Sequence, residues 1–189
     1  LNFSDQKQAI LGLYRSFKKA NQLEQVIPYL NNWLQKYPND IAVEISLADS
    51  YKASGKLTIA AEMYEQLLTK HGQLPILLNN AANIYFSLNQ TEKARTYASQ
   101  AYSYLNDNVA IIDTYAWIES RLGNHLEALA LFRTALTKDY DNAEIKYHLA
   151  ITLQKLGRQT EAKAYLAEAI DSQQSFDEKE RAKSLLATW

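Results

Sequence analysis

The chain has 189 residues, 47% of them hydrophobic and 22% charged, and its net charge is −1 at neutral pH. A charge so close to zero excludes the global field that gathers nucleic acid or an anionic membrane surface. The absence of cysteine excludes disulfides and thiolate metal sites, five glycines and three prolines are too few for a turn-rich all-β chain, and no apolar run reaches the ~18 residues of a membrane-spanning helix.

From the N-terminus onward, apolar residues recur at three- and four-residue spacing, which is the helical period. The pattern is written repeatedly at an offset of 34 positions. Tyr115-Ala116, Gly123, Ala128, Phe132 and Ala135 have counterparts in Leu149-Ala150, Gly157, Ala162, Leu166 and Ala169. Extending the offset gives five units, residues 7–40, 41–74, 75–108, 109–142 and 143–176. The eighth position of each is Tyr14, Ala48, Ala82, Ala116 and Ala150, and the twentieth is Val26, Ala60, Ala94, Ala128 and Ala162. These mostly small residues let two helices of a unit approach closely. The fifteenth position is Asn21, Gly55, Asn89, Gly123 and Gly157, the residue types that tolerate a left-handed conformation after a helix. Each unit is therefore predicted to be helix, tight turn, helix. In the first unit Pro28 lacks a backbone donor, so its second helix is predicted to start late or kink, whereas Pro75 opens a helix. After Phe176 the phase stops. Ser175 and Glu178 read as a capping box before a capping helix within 177–189, whose Leu185, Leu186 and Trp189 cover the end of the fifth unit. Because the sequence begins with Leu1, it reads as a piece of a longer or processed chain, with any targeting signal out of view.

The period and the small/large pattern over residues 7–176 resemble the tetratricopeptide repeat family. The resemblance implies an all-α, right-handed superhelical solenoid of five repeats plus a C-terminal capping helix, forming a single array over residues 1–189. It implies a non-enzymatic scaffold whose concave face, lined by the first helix of each unit, holds a protein or peptide segment. Carrying the family's concave positions onto this chain gives Arg15, Lys18 and Lys19 in the first unit, Asp49 and Lys52 in the second, Asn79, Asn80, Asn83 and Phe86 in the third, Asp113, Thr114, Trp117 and Arg121 in the fourth, and Glu144, Tyr147, His148, Ile151, Gln154 and Lys155 in the fifth. The candidates for partner binding among them are Asn79, Asn80, Asn83, Asp113, Thr114, Trp117, Tyr147 and His148. Amides offer a peptide backbone both donor and acceptor, and aromatics beside them supply hot-spot contact surface. The competing reading is that these side chains pair with one another and tie adjacent helices together. Two specialised sites do not fit. A carboxylate clamp needs Lys or Arg where Leu11, Ile45, Asn79, Asp113 and Tyr147 stand, and an asparagine ladder finds one rung among Gly12, Ser46, Asn80, Thr114 and His148.

The second half is similar to a narrower group. Leu78-Asn79-Asn80-Ala81-Ala82, Ile112 to Trp117, Tyr147 to Ala150, and Gly157-Arg158 through Glu161-Ala162 to Asp171–Phe176 resemble the C-terminal repeats of tetratricopeptide-repeat lipoproteins from bacterial exopolysaccharide and PEP-CTERM/exosortase systems. That resemblance, over residues 75–189, implies a cell-envelope protein on the periplasmic side of a membrane, anchored by a lipid outside this chain; the alternative is a cytoplasmic location. Alternative functions are direct polysaccharide binding through Trp117, Tyr147 and Phe86, a regulatory or substrate-presenting domain of a larger enzyme, and a passive spacer.

No catalytic residue and no cofactor is expected. The sequence has no H-E-x-x-H, P-loop or G-x-G-x-x-G motif. His71 and His125 fall near turns and read as solvated, while His148 and Asp113 are expected to face each other as a structural pair. No carboxylate–histidine cluster shows metal-ligand spacing in the sequence, and Glu127, Glu144 and Glu161 read as solvated helix charges. Arg15, Lys18 and Lys19, with Lys7, make a basic patch too small for useful phosphate affinity.

Overall fold

The computed structural model describes residues 2–189, and all regular structure among them is helical. The first helices of the units are α1 (Phe3–Lys19), α3 (Ile41–Ala53), α5 (Pro75–Ser87), α7 (Val109–Arg121) and α9 (Ala143–Lys155). From the second unit onward they begin on the residue the 34-residue register assigns; α1 begins four residues earlier. The second helices are α2 (Ile27–Lys36), α4 (Leu57–His71), α6 (Thr91–Tyr104), α8 (His125–Lys138) and α10 (Gln159–Asp171), and α11 (Lys179–Leu186) closes the chain. A short 3-10 helix, Leu23–Val26, precedes α2, which therefore starts late with Pro28 in its first turn, where the missing donor costs nothing.

The turns inside the units follow the residue type. Asn21, Gly55, Asn89, Gly123 and Gly157 all have positive φ, between 54° and 94°. The contact positions follow it too. Ala48, Ala82, Ala116 and Ala150 on the first helices, and Ala60, Ala94, Ala128 and Ala162 on the second, are completely buried. Leu30, Tyr64, Phe132 and Leu166, also completely buried, fill the space beside them.

The chain divides into two compact units, one ending at Ala94 and one running from Arg95 to Trp189. In the first, α1 and α2 pack with α3, α3 with α4, and α4 with α5. Its core gathers Tyr14, Val26, Leu30, Trp33, Val43 and Leu47. Tyr14, large where later units have alanine, sends its hydroxyl to Asp49 Oδ2 at 3.3 Å. In the second, α7 packs on α8, α8 on α9, α9 on α10 and α10 on α11. Glu119, completely buried, is held by Arg95 Nε at 2.6 Å and by the Asn124 amide.

The last helix caps the fifth unit, as expected. Ala182 is fully buried, Leu185, Leu186 and Trp189 pack on the cluster containing Tyr147 and Phe176, and Gln159 Nε2 donates to the Trp189 carbonyl at 2.9 Å. The capping box does not form. Phe176 is buried 5.6 Å from the Tyr147 ring, which carries the chain inward and delays the helix to Lys179. Glu178 becomes the N-cap residue itself, and its side chain makes no capping bond.

Candidate functional site

The eight residues selected from the sequence lie on the first helices of three units, in two separate compact bodies. In the first body, α5 carries Asn79, Asn80 and Asn83. Asn80 Nδ2 donates to the Tyr64 hydroxyl at 3.0 Å, and Tyr64 donates to Asp49 Oδ1 at 2.6 Å. Burial and then the Asp49 carboxylate push the Tyr64 phenol far above its ordinary pKa, so it remains a neutral donor. Asn80 is thus committed to tying α5 to α4 and α3. Asn79 is buried, with its side-chain Oδ1 lacking a hydrogen-bond partner among the described residues. Asn83 is half-buried.

The second body brings the other five together. Asn108 caps α7 by accepting the Ile111 amide at 3.2 Å, and Asn142 caps α9 by accepting the Ile145 amide at 3.1 Å. With both starts fixed, Asp113 and Trp117 sit one helical turn apart on α7, and Glu144 and His148 one turn apart on α9. His148 Nδ1 lies 2.9 Å from Asp113 Oδ1, which makes the expected pair. The imidazole stacks on the Trp117 indole, with centroids 4.2 Å apart and planes 16° from parallel, and Phe132 and Tyr147 lie at 6.0 and 5.7 Å. Arg121, one turn beyond Trp117, places its guanidinium 5.7 Å from the indole centroid.

Burial corrects the sequence reading. Tyr147 is only 1% exposed and His148 4%; Asn79 and Thr114 are likewise buried, so none of these four offers a broad contact face to a partner. Tyr147 is core because it packs against Phe176 and the capping helix. Trp117 is partly buried and Asp113 more deeply so, with 14% of its side chain exposed, while Arg121 and Glu144 are exposed. Both stand at concave positions that the family resemblance assigns, although neither is among the eight candidates. Arg121 is visible to sequence reasoning as the basic residue one turn after an aromatic; Glu144 is one turn before His148.

Glu144 is also not a free helix charge. One ligand atom from each of Asp113, Glu144 and His148 lies within 4.8 Å of the other two. The sequence showed no such cluster because its members come from two helices, 31 and 35 positions from Asp113. Partial desolvation and then the Asp113 charge raise the Glu144 carboxyl, with Glu178 and Asp177 acting the same way and His148 opposing them. For His148, burial works against protonation, but the charge and hydrogen bond of Asp113 outweigh it and the net shift is upward. The arrangement holds an imidazole in a fixed orientation among carboxylates, with an indole platform over it.

Other expectations also change. His71 is not simply solvated: its Nε2 lies 2.9 Å from Glu44, which Lys70 also contacts. Lys7 leaves the basic patch to pair with Asp40 at 2.8 Å. Glu161 and Glu127 stay at the surface as expected, where Glu161 pairs with Arg158 and Glu127 accepts from Tyr115. Two depressions elsewhere, of about 520 and 510 Å³, are lined from Glu62 to Lys70 and by Asp141, Lys146, Glu168 and Asp171–Gln174. Neither includes any of the eight residues.

Helix pairs in a 34-residue register, alanine at their contacts and left-handed Gly or Asn at their turns define a helical-repeat protein. The chain belongs to the tetratricopeptide repeat family: two family profiles, each described as Tetratricopeptide repeat, match residues 45–108 and 121–188, together well over half of it. Solved structures agree on the fold. A thermophilic tetratricopeptide repeat protein from Thermus thermophilus is 20% identical with a TM-score of 0.83, covering 95% of this chain and 98% of that one. MamA from Desulfovibrio magneticus is 11% identical with a TM-score of 0.69, over 93% and 96%. YrrB, a tetratricopeptide repeat protein with an unusual peptide-binding site, is 18% identical with a TM-score of 0.63, over 93% and 90%. None of the curated protein sequences matches the chain significantly.

Proposed function

We propose that this chain is a non-enzymatic interaction module that holds a protein segment against the α7–α9 face through Trp117. One observation carries the reading. Trp117 is partly exposed yet immobilised by its stack on His148, itself fixed by Asp113, with the Arg121 guanidinium beside the indole and the exposed Glu144 one turn before His148. A pre-ordered aromatic loses little conformational freedom on binding, which is what makes an anchor residue effective. The membership in the tetratricopeptide repeat family, and the peptide-binding site of the structurally similar YrrB, support a peptide or protein as the occupant.

The setting we propose is the bacterial envelope, on the periplasmic side, in exopolysaccharide export or PEP-CTERM surface-protein sorting. Its support is the resemblance of residues 75–189 to the lipoproteins of those systems. Among the described residues no helix is long and apolar enough to cross a membrane, so an anchor, in this proposal, is a lipid outside the sequence. A second reading, direct polysaccharide binding, rests on the same partly exposed indole.

A photo-crosslinking amino acid replacing Trp117 in the full-length protein, in its native host, tests both. The expected result is one dominant envelope protein, with capture lost when Arg121→Ala is added. Adducts to many unrelated peptides, or none, would overturn the scaffold reading. A saturable change in tryptophan fluorescence on titration with host polysaccharide, absent in Trp117→Phe, would favour the glycan.

A further inference from the structure

We propose that Asp113, Glu144 and His148 form a binding site for one divalent transition-metal ion. The inference is independent of the partner-binding reading and stands on the geometry of α7 and α9.

The first ground is distance. Donor atoms bound to one ion at about 2.1 Å lie at most about 4.2 Å apart. Those of the three residues already lie within 4.8 Å of one another, so reaching that limit needs at most about 0.6 Å, which a small side-chain movement of the exposed Glu144 supplies. The second is preorganisation. Glu144 and His148 share one face of α9 at i and i+4. The His148 ring is clamped by the Trp117 stack, and Asp113 is held at 2.9 Å from its Nδ1.

The third ground is charge left without a partner. Among the described residues, the only ion pair involving the trio is the one between His148 and Asp113. Glu178, whose charge acts on both Glu144 and His148, has a buried Oε2 with no hydrogen-bond partner. Asp177 adds a further negative charge near Glu144. Of the basic groups, Arg121 is directed at Trp117 and Arg181 acts on Tyr147. A cation between Asp113 and Glu144 would relieve their repulsion and give the Glu178 carboxylate an opposite charge to face.

The donor set fixes the class of ion. One imidazole and two carboxylates suit zinc, nickel, cobalt or copper, whereas calcium and magnesium take oxygen alone. The protein residues would occupy three positions and leave the others to water, or to a carboxylate or amide of whatever lies on Trp117.

The test is a titration of the tag-free full chain with zinc, cobalt and nickel ions by calorimetry. The indole centroid is 4.2 Å from that of His148, so nickel bound there also quenches Trp117 fluorescence. The expected result is one equivalent bound in the micromolar range, a cobalt ligand-field absorption band, and quenching lost in Trp117→Phe. Glu144→Gln, at an exposed position, should weaken binding at least tenfold with the helical circular dichroism unchanged, and His148→Gln should abolish it. His71→Gln, which breaks the other histidine–carboxylate pair, should leave it intact. No binding at hundredfold molar excess would overturn the proposal, as would binding that survives Glu144→Gln or disappears with His71→Gln. If His148→Gln does not fold, Glu144→Gln decides alone.

Discussion

Tyr64 shows how a polar group survives complete burial. Its hydroxyl donates to Asp49 and accepts from Asn80, so it joins three helices of the first compact unit. Tyr64→Phe keeps the ring and removes both bonds, leaving a carboxylate oxygen and an amide unsatisfied. The expected cost is about 1–3 kcal/mol in urea unfolding. Tyr14→Phe should cost less, because its bond to the same carboxylate is longer, at 3.3 Å. Glu119 is the corresponding case in the second unit. It is a fully buried carboxylate whose charge is balanced by the half-exposed Arg95. Arg95→Ala strands that charge and should destabilise by about 2 kcal/mol or more, while Glu119→Gln, which removes the charge together with its need for a partner, should cost less. If the order were reversed, the carboxylate would not be governed by its ion pair.

The turn and the cap are opposite lessons at the scale of the element. Gly123 has a φ of 94°, and a Cβ there would meet nothing within 4 Å. Gly123→Val should therefore act through backbone strain alone, costing at least about 1–2 kcal/mol and lowering Tm by roughly 2–8 °C for a chain of this size. Gly12, within α1, also has open space at Cβ and no positive φ. Gly12→Ala should stabilise by about 0.5–1 kcal/mol. Unchanged melting in both variants would contradict the turn assignment.

The turns were legible because the requirement for positive φ is local and is met by the residue at that position. The alanine contacts were legible because the period repeats them. The cap was not, since whether Ser175 starts a helix depends on where Phe176 finds a hole to fill, and that hole is made by Tyr147, 29 positions earlier. The site was legible in part for the same reason. Asp113 with His148 followed from neighbouring concave positions, the fifth and the sixth, in successive units, but the family's average concave position does not say that Tyr147 is buried in this chain or that Glu144 lies close to Asp113.

For the whole molecule, stability should be distributed by neighbourhood, because repeats contact mainly the repeats next to them. Phe132 is fully buried in the core shared by α7, α8, α9 and α10. Phe132→Ala should cost about 3–5 kcal/mol, and in amide hydrogen exchange the loss of protection should be largest in α7–α10 and smallest in α1 and α2. A uniform loss across the chain would mean that it unfolds as one indivisible unit.

The 34-residue register also bears on how such a gene can change length. An unequal crossover that removes or adds one period rejoins the chain in phase, with alanine again opposite alanine and Gly or Asn again at each turn. The generic framework is therefore indifferent to copy number. The particular bonds between successive units are not: Tyr14 with Asp49, Ser120 with Thr152 and Asp113 with His148 each require one specific neighbour. Loss of residues 109–142 would take away Asp113 and Trp117 together and leave His148 facing Asn79 or Asn80 in the rejoined register. The chain can thus grow or shrink by whole periods without losing its fold, while the arrangement around Trp117 makes the fourth and fifth units inheritable only as a pair.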